Sequence, residues 1–118
     1  MKILHSADWH LDSPLGGFSE EQAKFLRAEL LLVPDRVTAL CKSENCDLLL
    51  LAGDLFDGQR VYRETLDALR DTLSDCGAQV FIAPGNHDHL SPTSPYLTEA
   101  WPENVHIFIS PEPESILL

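Results

Sequence analysis

Basic residues are scarce in this 118-residue chain: eight Lys and Arg stand against nineteen Asp and Glu, a formal net charge of −11. Such an acidic balance repels polyanions, which argues against simple DNA binding by charge and leaves room for it only where metals or local basic clusters intervene. Cysteine is sparse as well. Cys41, Cys46 and Cys76 are odd in number, lack C-x-x-C spacing and sit in or beside apolar helical patterns. They read as reduced, mostly buried thiols, not as a disulfide framework or metal ligands. Reduced thiols suit a cytoplasmic protein. Long apolar runs are missing too. His5 and Asp8 interrupt the start before a signal-peptide core can form, and the longest run, "LLLLA", is too short to span a membrane. No internal repeat or low-complexity tract occurs.

Four short apolar runs are present: "KILHSA" near the start, "DLLLLAG" at 47–53, "QVFIA" at 79–83 and "VHIFIS" at 105–110. Apolar residues at consecutive positions predict strands covered on both faces, as in a parallel sheet under helices. Between them lie helical patterns. Ser19 followed by Gln22 has capping-box spacing, and Leu26, Leu30, Val33, Val37 and Leu40 then share one helix face. Pro34 interrupts this pattern and predicts a kink or two abutting helices. Tyr62, Leu66, Leu69, Leu73 and Cys76 repeat in the same way, and Gly77 supplies a stop. Strand, helix, strand, helix, strand defines an α/β chain of right-handed βαβ units. From 92 onward, five prolines predict a loop-rich segment with one strand and a second short one at "SILL".

Each of the first three strands ends in a polar cluster: "ADWH" with Asp8 and His10, "GDLFD" with Asp54 and Asp57, and "GNHDH" with Asn86, His87, Asp88 and His89. A parallel sheet places the carboxyl ends of its strands along one edge, so clusters distant in sequence converge. Carboxylates packed together repel unless a cation neutralises them. Mixed oxygen and nitrogen donors without thiolate fit Mn²⁺ or Fe²⁺ best, accommodate Zn²⁺, and suit Ca²⁺ or Mg²⁺ less. Any one cluster alone could be a helix cap or polar turn. Three at successive strand ends point to a metal centre, and a bridging carboxylate would make it dinuclear. His5, inside the first strand, reads as a packed histidine, and His106 has no assigned role. Trp9 reads as packing beside the metal loop, with stacking on a nucleic-acid base as the alternative. His89 could touch substrate or simply be an exposed turn residue.

The set Asp-x-His, Gly-Asp-x-x-Asp and Gly-Asn-His-Asp, in this order and spacing, resembles the calcineurin-like metallophosphoesterase superfamily. The stretch "HSADWHLDSPLGG" further resembles its DNA-repair exonuclease branch, the SbcD-like nucleases that work with an SbcC-like ATPase partner. The resemblance implies the parallel-sheet βαβ half of a metallophosphoesterase-type α/β sandwich. It implies Asp8 and His10 on a first metal, Asp54 bridging two divalent ions, and Asn86 on the second. His87 is then the general acid that stabilises the phosphate and protonates the leaving oxygen after attack by a metal-activated hydroxide, with Asp88 orienting its ring. Asp57, a helical turn past Asp54, fits an outer group steadying a ligand better than a ligand itself. The implied activity is phosphodiester hydrolysis of DNA. The alternatives are a phosphoesterase for cyclic nucleotides or phosphoproteins, which the acidic balance favours, and a non-catalytic scaffold.

Dinuclear members of that superfamily complete the second metal with downstream histidines, one isolated and then a Gly-His-x-His motif. Neither occurs here. Residues 1–118 are therefore expected to be the amino-terminal part of a single longer metallophosphoesterase domain, inactive alone and incomplete at the second metal. The piece should hold that metal weakly, and two tightly bound ions would refute the idea. It should also expose an apolar sheet face or edge and associate with other copies.

Overall fold

A computed structural model describes Met1–Leu118. Strands β1 (Ile3–Ser6), β2 (Leu48–Ala52), β3 (Gln79–Ala83) and β4 (Val105–Ile107) form one parallel sheet in the order β1-β2-β3-β4. Helices α1 (Glu20–Leu30) and α2 (Val33–Ser43) connect β1 to β2, α3 (Arg63–Ser74) connects β2 to β3, and a short α4 (Pro95–Thr98) precedes β4. Right-handed crossovers between strands laid down in sequence put every helix on the same face, and α2 packs beside α3. The fold is the α/β half-sandwich expected.

Coverage is one-sided, which corrects the reading of both faces as buried. Leu49, Leu51, Val80 and Ile82 point to the helices and are sealed, joining Leu66, Leu69 and Leu73 of α3 in the core. The alternate row, His5, Leu50, Phe81 and His106 in register across the four strands, faces no helix. His5 is exposed there and not packed, because it points to the open face from an edge strand. Phe81, His106 and Phe108 instead pack edge-on against one another, with ring centroids 4.9–5.9 Å apart.

Local signals account for the helix bounds. Ser19 and Gln22 form the reciprocal capping box. Pro34 lies in the first turn of α2, where its missing N–H costs nothing, so the chain breaks into two helices and does not kink. Gly77, at φ 77°, turns the chain after α3. Tyr62 and Cys76 flank α3 instead of belonging to it. The carboxyl-terminal segment carries one strand: β4 stops at Ile107, and "SILL" forms none, with Leu117 99% exposed. No helix is long and apolar enough to cross a membrane.

The amino terminus of α3 has no cap of its own, and Asp12 supplies one from the first loop. Its Oδ2 accepts the Tyr62 N–H and its Oδ1 the Thr65 hydroxyl, both at 2.9 Å. Asp12→Ala should cost about 1 kcal/mol, the usual worth of a cap, read as a lower urea midpoint at unchanged slope.

Candidate metal centre

Beyond the strands, the loops after β1 and β2 continue side by side. Asp8 N–H donates to the Gly53 carbonyl at 3.0 Å, His10 N–H to Asp54 at 3.0 Å and Leu11 N–H to Leu55 at 2.8 Å, and Asp57 N–H returns to Leu11 at 3.1 Å. Buried Leu11 and Phe56 anchor this ladder from below. It holds Asp8, His10 and Asp54 at φ of 58°, 48° and 52°, in the left-handed region. Each such residue costs on the order of 1–3 kcal/mol, and strain of this kind collects at functional sites.

The third loop joins by backbone contact. A Cβ on Gly53 would lie 2.8 Å from the Gly85 Cα, and one on Gly85 would lie 2.6 Å from the Asp54 nitrogen. Only glycine fits either position. Asp88, 3% exposed, locks the junction. Its carboxylate accepts the N–H groups of Gly85 (2.6 Å), Asp54 (3.1 Å), Leu55 (2.9 Å) and Phe56 (3.3 Å), and the Tyr96 hydroxyl at 2.5 Å. Burial and the Asp88 charge push the Tyr96 phenol far above its ordinary pKa, so it stays a donor.

This geometry corrects the role of Asp88. Its oxygens are committed to five donors and none is His87. The group beside His87 is Asp57, whose carbonyl lies 3.1 Å and whose Oδ1 lies 3.9 Å from His87 Nδ1. A carbonyl only accepts, so Nδ1 carries the proton and Nε2 faces away from this contact.

One ligand atom each from Asp8, His10 and Asp54 lies within 4.8 Å of the others. His10 Nδ1 donates to Asp57 Oδ1 at 2.8 Å, while Nε2 lies 3.8 Å from Asp8 Oδ1. A carboxylate behind one ring nitrogen fixes the tautomer that offers the other to a cation. Asp54, 8% exposed, accepts the His87 N–H on Oδ1 at 2.9 Å. A second group, His10, Asp57 and His87, is equally compact, and the His10 and His87 rings meet edge-on at 5.1 Å. The donor set therefore fits a divalent cation: two carboxylates and an oriented imidazole, drawn together without a basic side chain among them.

Asn86 and His89 are exposed on the same loop, with His89 Nδ1 3.1 Å from the Asn86 carbonyl. Trp9 is only 3% exposed and donates to Ser6 Oγ at 2.8 Å, so its ring faces the core and offers no face to a base. His106 pairs with Glu114. Sequence reasoning missed Tyr96 and Asp12. Tyr96 stands in a proline-rich stretch with no motif, and Asp12 caps a helix fifty residues away, so neither carried a local signal.

The carboxyl edge of the parallel sheet thus gathers Asp8, His10 and Asp54 around one small volume that could hold a metal ion. The chain belongs to the calcineurin-like phosphoesterase family, whose profile matches residues 1–116. It is 38% identical over 121 residues to the uncharacterized metallophosphoesterase YhaO of Bacillus subtilis, covering 97% of this chain and 29% of that protein. It is 35% identical over 129 residues to the D component of the SbcCD nuclease of the same organism, covering 98% of this chain and 29% of that component. The corresponding SbcCD nuclease component of Rhodobacter capsulatus is 37% identical over 93 residues, covering 75% of this chain and 22% of its own length. The chain thus spans less than a third of the length of these relatives.

Proposed function

We propose that this chain is the amino-terminal part of a metal-dependent phosphodiesterase acting on DNA in repair, in the cytoplasm and alongside an SbcC-like ATPase. The observation that carries the reading is the convergence of Asp8, His10 and Asp54 within 4.8 Å, with His87 hydrogen-bonded to Asp54. The names of the SbcCD nuclease relatives support the partner and the substrate. Divalent ions, Mn²⁺ by donor type, would be held by Asp8, His10, Asp54 and Asn86; when bound they neutralise phosphate charge and activate a water as nucleophile. Asp57 fixes the His10 ring. His87, positioned from Nδ1 by the Asp57 carbonyl, presents Nε2 to the leaving oxygen and, as the imidazolium carrying a proton on each nitrogen, donates the Nε2 proton there.

Charge pairing favours an extended polyanion over a small ester. Lys2, Arg36, Lys42, Arg63 and Arg70 each face a carboxylate. Lys24, Arg27 and Arg60 form no ion pair; Arg27, which donates to the Pro14 carbonyl at 3.3 Å, and Arg60 line a cleft of about 360 Å³ together with Asp12 and with Asp57, which this cleft shares with the metal centre. Tyr62, 63% exposed, stands on its rim. Arg27→Ala with Arg60→Ala should raise KM for DNA and lower the salt dependence of binding by about one unit of slope per arginine, while leaving a chromogenic phosphodiester unaffected. Equal effects on both substrates would favour the small-ester reading, to which the net charge of −11 lends support.

The direct test is a nuclease assay of the full-length protein with Mn²⁺ on linear duplex and single-stranded DNA beside a chromogenic phosphodiester. Turnover of the ester without DNA cleavage would point to small or protein phosphoesters. Absence of metal binding would leave only a scaffold.

A further inference from the structure

The three cysteines gather at the amino-terminal edge of the sheet, opposite the metal centre. The last turn of α2 closes with the Cys46 N–H on the Cys41 carbonyl at 2.9 Å, across Asn45 at φ 51°. This is the Schellman arrangement, in which the side chains flanking that hydrogen bond come into contact. Here both are thiols. The Cys41 thiol has both Cys46 and Cys76 as immediate side-chain neighbours.

The surroundings separate the three sulfurs. Cys41 is 1% exposed, and burial together with neighbouring Cys46 and Cys76 pushes its thiol up to about 11. Cys76, equally buried, is committed to the Ala78 carbonyl at 3.5 Å. Cys46 alone is partly exposed, and it lines a polar, solvent-open cavity of about 730 Å³ with Asp47, Gly77 and Asn104. A small oxidant therefore reaches Cys46 first and leaves Cys41 to resolve the product.

We propose that Cys41 and Cys46 form a reversible disulfide when the protein meets a peroxide-class oxidant. The Cys46 sulfur, as thiolate, attacks one peroxide oxygen; the O–O bond breaks and the departing oxygen leaves as water after taking up a proton. Cys41 sulfur then attacks the resulting sulfenic acid, the S–S bond forms, the S–O bond breaks, and the Cys41 proton leaves with that oxygen as a second water. Two thiols and one peroxide become one disulfide and two waters, with sulfur oxidised and peroxide reduced. The link would staple the end of α2 to the start of β2.

The test is peptide mapping of the full-length protein after hydrogen peroxide, with free thiols alkylated before digestion. Trypsin cuts after Lys42, between the two cysteines, so a disulfide joins two peptides. The joined pair should dominate after oxidation, vanish with dithiothreitol, be lost in Cys46→Ser and persist in Cys76→Ser. Cys41 and Cys46 both remaining alkylatable, or a linked pair containing Cys76, would overturn the proposal.

Discussion

Asp88→Ala is expected to lower stability by about 3–5 kcal/mol, because it strands several buried N–H donors at once and each unsatisfied one costs about 1–3 kcal/mol. The donors of Leu55 and Phe56 belong to fully buried residues, so water must open the loop junction to reach them. Denaturant unfolding measures the loss, and amide exchange localises it to residues 54–56. Tyr96→Phe removes one donor of five and should cost less, about 1.5–3 kcal/mol for a hydrogen bond to a charged group. A change below about 1 kcal/mol in Asp88→Ala would mean that solvent replaces the carboxylate freely, and the keystone role would fall.

His87→Gln should leave metal binding intact and lower kcat by about 10²–10⁴, the usual contribution of a positioned proton donor. Glutamine can still donate a hydrogen bond toward the Asp57 carbonyl but has no proton to transfer at neutral pH. Calorimetric titration with Mn²⁺ and turnover of DNA by the full-length protein separate the two readouts. Loss of metal affinity would turn His87 into a ligand, in keeping with the compact His10, Asp57 and His87 group. Undiminished turnover would remove it from the reaction.

The architecture was largely legible in sequence because its signals are local. Apolar runs marked all four strands, Ser19 and Gln22 marked a helix start, and Pro34 marked the break between α1 and α2. Gathering of Asp8, His10 and Asp54 at one edge followed from parallel topology alone. What stayed hidden depends on pairs far apart in the chain. Asp88 beside His87 in sequence suggests a pair, yet its side chain turns inward to donors on the preceding crossover loop, and the partner that faces His87 is Asp57, thirty residues earlier. One-sided coverage could not be read from the strands themselves, since Leu50 and Phe81 are as apolar as Leu49 and Val80; an open sheet face was expected only because the chain matches the amino-terminal part of a longer domain.

The strand order has a consequence for how the protein is made. Because β1 pairs with β2, β2 with β3 and β3 with β4, each strand finds its neighbour already synthesised and none waits for a later one. The sheet can therefore grow in the order of translation, although each parallel pairing, such as Ile3 with Leu48 or Val80 with Val105, closes a long crossover and is intrinsically slow to form. On this route the loops bearing Asp8, His10 and Asp54 are zipped before Asp88 and Tyr96 emerge to lock them, so the strained ligand edge is assembled first and secured second.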